Sequence, residues 1–353
     1  MDRQTQEPIN QFLNQLPDFF QPAVESARVI YRHAKRGPKR YVSDLLWGIN
    51  QRRLKARAAS LTTEEKIKIG EELKRNDFPN ATPRITGTFG SRQLGNRDNE
   101  FRRFLDSFLT TADDPLRTEF LVKIDDDDDI QSFVELKRDY GKRVNIRFYL
   151  SPRGAGYGDI NKWHHILKDF RSPSSYGILI LSEDVLYEKP GWDERFAKTV
   201  EIRGNTFFVG TAFSFEESKK ILGPMPKEPQ PVYWIHGDDF PFFGSELLDV
   251  LDKAAKVYSD PEWNTFGNIF SLDSFSGEVL RRAWDLHQTN LHLQLEPFAR
   301  RRGVYDWTTS PERSHTRNSS LLKFFSPEFQ KRRDEMITVS VKCFKDKQQG
   351  ALY

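Results

Sequence analysis

Five consecutive aspartates, Asp125 to Asp129, close the run "EFLVKIDDDDD", and a second acidic pair, Glu183 and Asp184, closes "GILILSED". Carboxylates gathered where apolar runs end can bind a hard cation through oxygen or accept hydrogen bonds from a base or ribose. Taken alone, an acidic run reads as a solvated loop, because adjacent carboxylates repel one another and are expensive to desolvate. Its position after a strand argues for more. In an extended chain Asp125, Asp127 and Asp129 would share one side, and Asp126 and Asp128 the other. Between the two acidic sites lies "SPRGAGYGDINKW". There Gly154, Gly156 and Gly158 allow close approach to the backbone, and Arg153 can face a phosphate.

Other residues carry weaker chemical signals. Trp192, in "GWDE", reads first as a core residue like the other aromatics, but among them it is the best candidate to stack on a ligand or shape a site, and Asp193 beside it could bind hydroxyls. The neighbours His164 and His165 point about 100° apart on a helix and cannot readily share an ion.

The elements that must position these groups alternate. Strands are expected near Arg84 to Phe89, at "EFLVKI", "VNIRFYL" and "GILILS", with helices through "NEFRRFLDSFLTT", "QSFVELKRDYG" and "DINKWHHILKDF" between them. Such alternation predicts an α/β fold with a mostly parallel sheet flanked by helices. Ligands of these sheets sit at the carboxyl ends of the strands, where both acidic sites fall. Before this region residues 1–80 read as a helical extension, with a capping box at Thr62 and Glu65. Residues 81–317 form the main domain, and 318–353 a helical tail packed upon it.

Composition narrows the class. With 353 residues and 13% aromatics the chain can bury a large core. No run reaches the roughly 18 to 20 apolar residues of a membrane helix. A single cysteine excludes an internal disulfide and fits a reducing compartment, so a cytoplasmic location is expected. The net charge of +3 does not by itself imply a nucleic-acid partner. Basic residues do dominate 28–57, with Tyr31, Tyr41 and Trp47 interleaved. Nucleic acid could use that surface, but packing of amphipathic helices is the favoured reading.

In order and spacing, residues 84 to 195 resemble the GT-A glycosyltransferases, most closely the family-2 type, which transfer sugars from nucleotide diphosphate sugars. The matching stretches are "TGTFGSR", "FLVKIDDDDD", "GAGYGDINKW" and "ILILSED". The resemblance implies a Rossmann-like GT-A domain and a nucleotide site with Thr86, Thr88, Ser91, Arg92, Asp125, Asp127 and Arg153. It assigns a divalent metal, Mn²⁺ or Mg²⁺, to Asp184 with Glu183, and makes Trp192 and Asp193 candidates for contacts to the sugar or acceptor. Ser182 stands where the family has the first aspartate of its metal motif.

By family habit the donor is a UDP-sugar, the reaction inverts, and a later carboxylate is the base. Asp273 is the first candidate; Asp239, with Asp238 next to it, is the second. The acceptor could be a glycan, protein, lipid head group or nucleobase. Two alternatives stand beside this: a sugar nucleotidyltransferase, and a non-catalytic sugar- or nucleic-acid-binding module whose metal site is degenerate.

Overall fold

The structure is a computed structural model describing residues 38–94, 100–153, 160–183, 185–203, 205–210, 242–255, 278–279, 282–283, 293–294, 299–301 and 327–350. The chain forms two compact units, 1–57 and 58–353. Helix α1, Pro38–Ala59, holds all of the described residues of the first unit and exposes Leu46 and Ile49.

In the second unit, α2 (Thr63–Leu73) begins with the expected capping box. Thr62 Oγ1 accepts the Glu65 N–H at 3.2 Å, and the Glu65 carboxylate accepts the Thr62 N–H at 2.8 Å. Then follow β1 (Ile85–Ser91), α3 (Glu100–Thr111), β2 (Thr118–Asp125), α4 (Ile130–Tyr140), β3 (Asn145–Ser151), α5 (Ile160–Lys168) and β4 (Gly177–Ile180). The remainder comprises β5 (Val185–Tyr187), α6 (Trp192–Arg203), β6 (Phe208–Gly210), β7 (Phe242–Gly244), α7 (Ser245–Ala255), β8 (Leu293–Gln294), β9 (Ala299–Arg301) and α8 (Pro327–Gly350).

The main sheet has the order β3-β2-β1-β4-β7-β6-β8. Strands β3, β2, β1 and β4 are parallel, β7 runs against both β4 and β6, and β8 follows β6. This is the mostly parallel, helix-flanked sheet that the GT-A resemblance implies. Its central strands are buried on both faces, which is why "ITGTFGS" and "TEFLVKI" do not alternate.

On one face Phe89 meets Phe101 and Phe104 of α3, and Phe108 meets Phe120 edge-on at 4.8 Å. These rings, with Phe133 and Phe148, form the core. On the other face α5 packs over β1 and β2. Gly87 lies at the crowded centre, where a Cβ would fall 2.7 Å from the Phe120 ring and 2.8 Å from Leu181.

Helix α2, which falls within the stretch 1–80 read as a helical extension, packs on β3 and α4 and buries Leu73. Helix α8 buries Arg333, Ile337, Ser340 and Phe344 along one stripe and packs along α7.

Candidate active site

The chain places β2 on one side of β1 and, after β3, returns to place β4 on the other. The order therefore reverses between β1 and β4, and the crevice outside their carboxyl ends is where such sheets take ligands. Ser91 ends β1, and Glu183 lies just beyond β4. The Ser91 hydroxyl donates to Glu183 Oε2 across this line. A residue expected to bind nucleotide and one expected to hold metal are thus in contact.

The aspartate run lies one strand over, at the end of β2, and its members have separate roles. The strand ends at Asp125, so the strict alternation expected through Asp129 stops there, and residues 126–128 turn. Asp125 is paired with Lys123 and, at 2.5 Å, with Arg92 Nη1. The same guanidinium holds Asp127 through two bonds, at 2.7 and 3.2 Å, and Arg153 lies 3.7 Å from Asp127 Oδ2. The Arg92 hydrogen bond keeps the Asp127 carboxyl below the usual range, and the carboxylates raise Arg92 in turn.

Asp126 acts through its backbone. Its N–H donates to Ser151 O at 3.0 Å, and its carbonyl accepts Lys66 Nζ of α2 at 2.7 Å. Asp128 is fully buried and accepts the backbone N–H groups of Gln93, Leu94 and Asp129 at 2.7, 2.8 and 2.8 Å. Burial pushes its carboxyl up despite these donors. Asp129 is the N-cap residue of α4 and accepts from Ser132 Oγ. Three of the five, Asp125, Asp127 and Asp128, therefore grip residues 92–94, the start of the loop after β1.

Lys123, Lys66 and Asp128 were not among the residues expected here. Lys123 had a legible signal: a lysine inside a buried strand requires a partner, and Asp125 is two residues on, on the same side. Its ammonium also lies 4.6 Å from the centre of the Trp163 ring.

Several expected site residues lie elsewhere. Thr86 is buried towards the amino end of β1, its hydroxyl 2.8 Å from Glu119 Oε1 and 2.6 Å from Ser175 Oγ. Thr88 is buried in mid-strand, 2.9 Å from Nδ1 of His164. Burial holds that imidazole neutral, pushing it down to about 3.

Trp192, a candidate for a sugar contact, is a core residue. It is 1% exposed, stacked on Tyr187 at 4.8 Å and edge-on to Phe196 at 5.3 Å. Asp193, expected to bind hydroxyls, is buried as an anchor for the segment entering β2. It accepts the N–H groups of Asp113 and Asp114 at 2.9 and 3.1 Å and pairs with Arg117 at 2.8 Å. That segment lies at the amino end of β2, a strand length of about 23 Å from the acidic turn. Asp184, Asp238, Asp239, Asp273 and the glycines 154, 156 and 158 lie outside the described residues.

No protein-family model and no curated protein matches the sequence. Among solved structures, the chain is similar at 12% identity to S. aureus TarS, with TM-score 0.36, over 52% of this chain and 33% of that one, so it spans about a third of that protein. A glucosyl-3-phosphoglycerate synthase from Mycobacterium tuberculosis, solved with Mg²⁺ and UDP, is similar at 12% identity and TM-score 0.41, covering 73% of this chain and 82% of that one. A 4-diphosphocytidyl-2C-methyl-D-erythritol synthase from Anaerococcus prevotii is similar at 12% identity and TM-score 0.35, over 68% of this chain and 97% of that one. The strand order and the contacts above stand independently of these likenesses.

Among the described residues no three histidines, cysteines or acids gather as a metal cluster. The oxygen donors at the crevice, the Glu183 carboxylate and Ser91 hydroxyl, suit a hard cation of the Mg²⁺ type, which needs few protein ligands and keeps water.

Proposed function

We propose that the chain is a glycosyltransferase that moves a sugar from a nucleotide diphosphate sugar, UDP-linked by preference, to an acceptor hydroxyl with inversion, in the cytoplasm. One observation carries the reading: the carboxyl ends of β1, β2 and β4 bring Ser91 and Glu183 into contact beside Arg92, Asp125 and Asp127 at the point where the strand order reverses. Asp125 and Asp127 offer carboxylate oxygens that can accept hydrogen bonds from a nucleoside, and Arg92 and Arg153 supply positive charge for a diphosphate.

Glu183, with Asp184, would hold a divalent cation, Mn²⁺ or Mg²⁺. Bound there, it neutralises charge on the departing diphosphate. Ser91 orients the Glu183 carboxylate. The base for the incoming hydroxyl is Asp273, with Asp239 as the second choice. Thr86, Thr88, Trp192 and Asp193 act at a distance, by holding the sheet and core.

Calorimetric titration with UDP and GDP, with and without Mn²⁺, tests the reading. Metal-dependent binding of UDP followed by slow hydrolysis of a UDP-sugar is the expected result. Failure of both diphosphates to bind would overturn it.

A further inference from the structure

Arg92 has an unusual set of partners. It is shared by Asp125 and Asp127, and each carboxylate has a second cation at hand: Lys123 for Asp125 and Arg153, 3.7 Å away, for Asp127. Withdrawing Arg92 therefore leaves neither carboxylate without a counter-charge. Withdrawing Lys123 would be different, because it is 7% exposed and pinned over Trp163.

Arg92 also follows directly on Ser91, whose hydroxyl touches Glu183, and its side chain is 28% exposed. The backbone beyond it is fixed by Asp128, which holds the N–H groups of Gln93 and Leu94. The guanidinium thus sits at the end of a long side chain on an anchored base, placed between the acidic turn and the crevice.

From this geometry we infer that Arg92 is an exchanging cation. It covers Asp125 and Asp127 while the site is empty and transfers to the diphosphate of the nucleotide, uncovering the carboxylates for the nucleoside. The inference rests on the nucleotide-site reading above. Nucleoside alone must compete with Arg92, whereas a diphosphate removes the competitor. Nucleoside and phosphate binding are then coupled, and each tightens the other by the same factor.

The test uses the full chain with uridine, UDP and inorganic pyrophosphate as probes, and guanosine and GDP in parallel, by calorimetry in Mg²⁺. In the unaltered protein, saturating pyrophosphate should tighten nucleoside binding by about fivefold or more, within the usual range of such couplings. In Arg92→Ala the nucleoside should bind severalfold tighter than in the unaltered protein, the diphosphate should bind more weakly, and pyrophosphate should no longer help. Absence of coupling in the unaltered protein would overturn the exchange, even if Arg92→Ala failed to fold. Equal weakening of nucleoside and diphosphate in a folded Arg92→Ala would also overturn it, by making Arg92 a fixed support. Neither result touches the nucleotide-site reading, which fails separately if the unaltered protein binds no nucleoside diphosphate at all.

Discussion

Asp128 accepts the backbone N–H of Gln93 at 2.7 Å, although 35 residues and helix α3 separate the two in the chain. Leu94 and Asp129 donate to the same carboxylate. Asp128→Ala would leave three backbone N–H groups without their acceptor and should destabilise the fold by roughly 3 kcal/mol or more, at about 1 to 3 kcal/mol each. Asp128→Asn turns one oxygen into a donor facing Gln93 and should cost about 1 to 2 kcal/mol by the same rule. Urea melts measure both. Because burial raises the Asp128 pKa above its ordinary 3.8, the folded state holds that proton more tightly than the unfolded chain. Its contribution to stability is fully present below 3.8 and falls as pH rises through the folded value. Asp128→Asn should lack that component.

His164 gives the opposite sign. Its pKa lies at about 3 in the fold against 6.5 ordinarily, so as pH falls below 6.5 the unfolded state takes up a proton that the folded state refuses. Stability present at pH 7 should decline by about 2 kcal/mol by pH 5, at about 1.4 kcal/mol per unit. The comparison is chemical denaturation of the unaltered protein and His164→Gln across this range. Equal slopes for the two would remove His164 as the cause.

Glu119 is the hub at the other end of the sheet. Fully buried, it accepts from Arg147 at 2.5 Å, from the N–H and hydroxyl of Ser172 at 2.7 Å, and from Thr86 at 2.8 Å. Glu119→Ala strands Arg147 and should cost about 3 to 5 kcal/mol. The hub lies at the amino ends of the strands, so nucleotide affinity measured on the remaining folded protein should stay within about twofold. A selective loss of affinity would show that this end of the sheet communicates with the crevice.

What the sequence revealed follows from the range of each interaction. Periodicity and turn chemistry are local, so the strand and helix alternation, the Thr62–Glu65 capping box and the placing of both acidic sites at strand ends were legible. Partners distant in sequence were not. Asp128 looked equivalent to its four neighbours because only the folded loop brings Gln93 and Leu94 to it. Trp192 stayed a candidate for a sugar contact because its burial depends on Tyr187, Phe108 and Phe196 converging from three elements. Thr86 fits the strand motif, but the hydrogen-bonded network that encloses it comes from β2 and the segment before β4.

Trp192 provides a direct test of that correction. Its ring fills the core between α3, β5 and α6, so Trp192→Ala should destabilise by about 3 to 5 kcal/mol, and Trp192→Phe by less. Neither should alter discrimination among donor sugars in competition binding with UDP-sugars. A change in sugar preference in the folded Trp192→Phe protein would return the residue to the site.

Ser91 and Glu183 separate nucleotide recognition from metal dependence. If Glu183 holds the cation, Glu183→Gln removes a charged oxygen donor, and the gain in UDP affinity produced by Mn²⁺ should shrink by about tenfold, ~1.4 kcal/mol. Ser91→Ala leaves the carboxylate in place but removes the donor that orients it. Loss of such an orienting partner lowers metal affinity by roughly 10- to 100-fold, so more Mn²⁺ should be needed for the same maximal UDP binding. Asp184→Asn should abolish the metal response, while Asp273→Asn should leave binding intact and remove transfer. Titrating Mn²⁺ at fixed UDP distinguishes these outcomes, since Ser91→Ala shifts the midpoint whereas Glu183→Gln also lowers the plateau. An unchanged Mn²⁺ response in Glu183→Gln and Asp184→Asn, with loss in Asp127→Asn, would move the metal to the acidic turn after β2.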